Sequence, residues 1–90
     1  AMTPDSAQAI ALQALAHIVS DEAVRPRFFE LSGLSGNGLR QAAQDPELLA
    51  GVLDFILAHE SLLTGFCKSA AIAPEQPARA RALLPGAVLL

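Results

Sequence analysis

The residues from which this chain could build a reactive site are few: His17, Asp54, His59, Glu60 and Cys67, with Arg40 as a possible contact for an anion. His59 and Glu60 are adjacent, so on a continuous helix they project about 100° apart and do not chelate together. Their pairing is better suited to capping a helix, where a carboxylate meets the positive end of the dipole. There is no His-x-x-x-His or Cys-x-x-Cys spacing, and one cysteine with two distant histidines is a poor ligand set for zinc. Neither a metal nor a cofactor is therefore expected, and no residue is assigned a catalytic role. An acid such as Asp54 in an apolar stretch would need a partner within reach to move protons. Cys67 falls on the apolar side of its segment and reads as a small hydrophobe. His17 falls on the polar flank of its own segment and reads as solvated.

The glycine-rich stretch 33–38, followed by Arg40, offers a second possibility: backbone amides at a helix start that could hold an anion. It lacks the Gly-Lys-Ser/Thr ending of a Walker loop, and no strand precedes it as the dinucleotide fingerprint requires. Two turns that need positive φ between short helices are the preferred explanation of the glycines. The same region, helix–turn–helix over about 25–44, has the outline of a DNA-reading motif. Its second helix is short and carries only Arg40 as a cation.

These groups must be positioned by helices. Ala (18) and Leu (15) make over a third of the chain, whereas Val, Ile and Thr together number 10. That balance favours helix over strand. Thr3-Pro4-Asp5 opens a first helix that runs to about Val19, with Ala7, Ile10, Ala11, Ala14, Leu15 and Ile18 recurring at helical spacing on one face. Ser20-Asp21-Glu22 caps a second segment, regular over about 25–31, with Val24, Phe28 and Leu31 on one face and Gly33 ending it. A short third helix is expected over about 38–44. Asp45-Pro46-Glu47 launches a fourth, about 46–58, apolar all round except for the strip Glu47, Gly51, Asp54 and Ala58. A helix that apolar belongs at the centre. A fifth buries Leu62, Leu63, Phe66, Cys67 and Ala70. Ala73-Pro74-Glu75 starts the last, with a Glu75–Arg79 ion pair one turn apart, and Pro85-Gly86 stops it. The expected fold is thus all-α: a single compact domain over 1–90, a bundle of five to six short helices with no strand of consequence.

Ninety residues allow one domain, and a hydrophobic fraction of 52% excludes a disordered chain. A net charge of −3 argues against nucleic acid, where neutralised phosphates supply most of the affinity. The lone cysteine suits a reducing cytoplasm, and the expected localisation is cytoplasmic. No apolar run approaches the length of a membrane span, and no basic-then-apolar leader is seen. Ala1 ahead of Met2 reads as a cloning remnant and residues 1–3 as an N-terminal extension. The tail 87–90 is apolar, which is odd after a helix stop.

Phe28-Phe29, Gly33, Leu39-Arg40, Asp45-Pro46, Leu53-Asp54-Phe55, Glu60, Phe66 and Leu84-Pro85-Gly86, in this order, resemble the bacterial family called domain of unknown function 3572. The resemblance spans about residues 7–86 and implies a small helical protein with no established activity. Most of its matching positions are core or cap positions, and the chain departs from it in the apolar tail.

Two functional readings follow. The favoured one is a non-enzymatic interaction module that binds a partner protein or itself through surplus apolar helix surface. The alternative is a small-ligand, anion or enzymatic site around Asp54, His59 and Glu60 or the 33–38 loop. Helix-turn-helix binding of nucleic acid is a third reading, against which the acidity counts. No membrane partner is expected.

Overall fold

The computed structural model describes residues 2–33 and 36–85. Among them are six α-helices and no strand: α1 Pro4–Ser20, α2 Arg25–Ser32, α3 Gly36–Ala42, α4 Pro46–Leu57, α5 Glu60–Ala70 and α6 Gln76–Ala82. Local chemistry sets several of their ends. Thr3 is extended, and its hydroxyl accepts the Ser6 amide at 3.1 Å. Asp45 does the same for α4, accepting the Glu47 amide at 2.9 Å. Each thereby satisfies one of the orphan amides of a helix start, while Pro4 and Pro46 occupy positions that need no donor. Asp21 turns the chain after α1 by accepting the amides of Ala23 and Val24. The Arg25 guanidinium reaches back to donate to the Val19 carbonyl, a cation at the negative end of α1. Gly33 closes α2 at φ 72°, its amide donating to the Phe29 carbonyl.

α5 ends differently. Its C-cap is Ala71 at φ 56° and ψ 45°, a left-handed conformation that costs a residue with a Cβ about 1–2 kcal/mol. Ala71 is exposed, so its methyl group contributes no buried packing. Ala71→Gly should therefore raise the unfolding free energy by about 0.5–1 kcal/mol, the relieved strain exceeding glycine's extra freedom in the unfolded chain. The urea midpoint followed by helix circular dichroism would move up; an unchanged or lower midpoint would contradict this.

α1 and α4 form the centre together. α4 packs on α1, α3, α5 and α6, whereas α1 packs on α2, α4, α5 and α6. The α1 face is Ala7, Ala11 and Ala14, all fully buried, with Ile18 at its end. Side chains this small let neighbouring helices approach closely. Against them stand Leu49, Val52, Leu53 and Ile56 of α4 and Phe66 of α5, in one continuous apolar cluster that Met2 also touches. The strip Glu47, Gly51, Asp54 and Ala58 is exposed throughout, as its periodicity predicts. α4 and α5 meet at a bend of 111°, and no single described helix is long and apolar enough to cross a membrane.

Four expectations are corrected. α3 begins two residues earlier than its pattern suggests. α6 begins at Gln76, with Pro77 in its first turn, because Pro77 is fully buried and Ala73-Pro74-Glu75 forms a turn ahead of it. Glu75 does not pair with Arg79: the one ion pair among the described residues joins Arg81 to Asp54. Leu31 does not follow Phe28 into the core but is 65% exposed, since α2 is short and packs chiefly on α1. Part of the 33–38 loop, the Gly86 stop and the tail 87–90 lie outside the described residues.

Candidate functional site

His59 stands at the N-cap position of α5, yet its side chain makes no capping bond there. Its Nδ1 instead donates to the Phe55 carbonyl at 2.8 Å, so it serves the end of α4 rather than the start of α5. A carbonyl can only accept, which places the proton on Nδ1 and leaves Nε2 as the bare nitrogen of the neutral ring. The imidazole lies 4.6 Å from the Phe55 ring, and Phe55 in turn meets Phe28 edge-on at 5.3 Å.

His17, in the last turn of α1, is not the solvated residue that its flank suggests. It is half-buried, its ring 5.7 Å from that of Phe66, because α5 covers that side of α1. Both histidines of the chain thus open on one cleft of about 550 Å³, shared with Asp21 and Arg27. Val24, Phe55 and Leu62 give it apolar walls, and Ser61 lies at its edge. The sequence held no signal for this meeting, since the two histidines come from different helices.

The other candidates go elsewhere. Asp54 is 57% exposed and accepts from Arg81 Nε at 2.6 Å, while Arg81 also donates to the Pro85 carbonyl. The acid therefore ties α4 to α6. Glu60 is exposed and lines a separate hollow beside Cys67 and Lys68. Arg40 is exposed on the seven-residue α3. Asp54, His59 and Glu60 accordingly face three different features and share no hollow. Cys67 is buried and its thiol lies 3.9 Å from the Ala73 carbonyl. Burial, with the nearby Glu75 carboxylate adding to it, pushes this thiol above its ordinary value, which keeps it protonated and unreactive. Among the described residues no three potential ligands gather as a metal site would require.

A second concavity lies between α2 and α4. It is a groove of about 320 Å³ lined by Phe28, Leu31, Leu48, Val52 and Phe55, with Glu47 its only charged residue. Gly51 forms part of its floor, and a Cβ added there would meet nothing within 4 Å. The smallness of Gly51 is therefore not used by any packing inside the molecule.

No curated protein and no solved structure matches the chain significantly. The sequence model of the family described as "Protein of unknown function (DUF3572)" matches residues 4–87, nearly the whole helical bundle just described, and the chain belongs to that family.

Proposed function

We propose that this protein is a non-enzymatic, self-associating module in which two copies meet through the α2–α4 face. The observation that carries the reading is Leu31. It is a large apolar side chain, 65% exposed, standing at the lip of an apolar groove on the same face. A projecting knob beside a hole is the self-complementary arrangement that a two-fold interface needs, because each copy's knob can enter the other's hole. Gly51 leaves the floor of that hole open, so a partner's side chain can approach the α4 backbone. The separate placement of Asp54, His59 and Glu60 supports the non-enzymatic half of the reading, since proton transfer needs such groups within reach of one another.

Sedimentation analysis across the micromolar range tests it. The wild-type chain should approach twice its 9.4 kDa as concentration rises. Leu31→Glu and Gly51→Glu should each weaken association at least about tenfold while leaving the helix circular dichroism intact. Both positions are exposed, so neither substitution disturbs the core. A wild-type chain that stays monomeric throughout, or a dimer that survives both substitutions, overturns the proposal.

A further inference from the structure

We infer that the cleft between His17 and His59 binds a small organic anion with an apolar body. Its volume of about 550 Å³ lies within the span of small-molecule sites, which combine apolar walls with a few convergent polar groups. Here the walls are Val24, Phe55 and Leu62, and the polar groups are Arg27, Ser61 and the two imidazoles.

The sign of the ligand follows from which polar groups are already engaged. Asp21, the one acid in the lining, accepts two backbone amides on a single oxygen, at 2.9 and 3.2 Å. Arg27 has no carboxylate partner among the described residues, and its guanidinium presents five donors in a planar fork that matches a carboxylate. The Ser61 hydroxyl likewise has no hydrogen-bond partner among the described residues. His59 Nδ1 is fixed on the Phe55 carbonyl, so Nε2 is the nitrogen left for a ligand. Arg27 and Ser61 are thus the free donors and His59 Nε2 a free acceptor. The Arg27 guanidinium, a cation with no carboxylate partner among the described residues, would recognise an anionic head, and the apolar walls a flat or aliphatic body. Phe55 forms a wall of both this cleft and the α2–α4 groove, so the test leaves Phe55 untouched.

The chain has only two histidines and no tryptophan or tyrosine, which makes the imidazole carbon–proton NMR signals an unambiguous reporter. Benzoate is the probe, with benzamide and benzylamine as its neutral and cationic counterparts. Benzoate should shift both imidazole signals saturably, with a dissociation constant of about 1 mM, and the counterparts should bind about tenfold more weakly or not at all. Arg27→Gln, at an exposed position, should weaken benzoate about tenfold with the wild-type helix signal retained. The inference falls if benzoate leaves both imidazoles unmoved, if benzylamine binds as well as benzoate, or if Arg27→Gln binds benzoate undiminished. None of these readouts depends on whether the chain dimerises through Leu31.

Discussion

Phe66→Ala is expected to lower the unfolding free energy by about 3–5 kcal/mol, the usual cost of emptying a well-packed aromatic site. Phe66 is 1% exposed and is the largest fully buried side chain of the described molecule. It reaches from α5 into the cluster built by α1 and α4, where no other aromatic ring is as deeply buried. The loss would combine the transfer free energy of the ring with a cavity that the alanine-lined α1 face can fill only by moving whole helices. A domain of this size has about 5–15 kcal/mol in all, so much of its stability would go. Urea unfolding followed by helix circular dichroism gives the number, and Lys68→Ala, at an exposed position of the same helix, should stay within about 0.5 kcal/mol as the control. A loss below about 1 kcal/mol for Phe66→Ala would mean that α5 is not packed as described. The same substitution should also release His17, whose ring lies against Phe66, and so broaden or shift its imidazole signal.

The second large effect runs the other way, from too much volume. Ala11→Leu should destabilise by about 1–3 kcal/mol, even though leucine is nearly as good a helix former as alanine. Ala11 is fully buried on the face of α1 that meets α4 and α6. Side-chain carbons added there have to push these helices apart or adopt strained rotamers. Ala9 lies on the exposed side of the same helix, and Ala9→Leu should change stability by less than about 0.5 kcal/mol. The pair separates packing from propensity within one helix. Equal effects at the two positions would contradict close approach along the alanine face.

These two expectations depend on the sequence to different degrees. That Phe66 and the α1 alanines belong inside was legible from their spacing, because a helical period of 3.6 residues sorts positions into faces without reference to any partner. The exposed strip Glu47, Gly51, Asp54 and Ala58 was legible for the same reason, and the caps at Thr3 and Asp45 because a side chain there needs only an amide two or three residues away. Local rules failed at the start of α6: Ala73-Pro74-Glu75 reads as its opening, yet the helix begins at Gln76 with the buried Pro77 in its first turn.

The candidate sites were the least legible part. The pairing of Arg81 with Asp54 spans 27 residues of chain, and no helical periodicity reaches that far. Leu31 stands out of the core because α2 is too short to be covered along its whole apolar face. His17 is half-buried because α5 crosses the flank of α1, and its meeting with His59 depends on the 111° bend between α4 and α5. The sequence by itself determined the helices, most of their ends and the faces they bury, since these depend on contacts within one or two turns. Only the tertiary structure decided which polar residues share a cleft and which apolar one is left outside, because both are set by the angles at which separate helices cross.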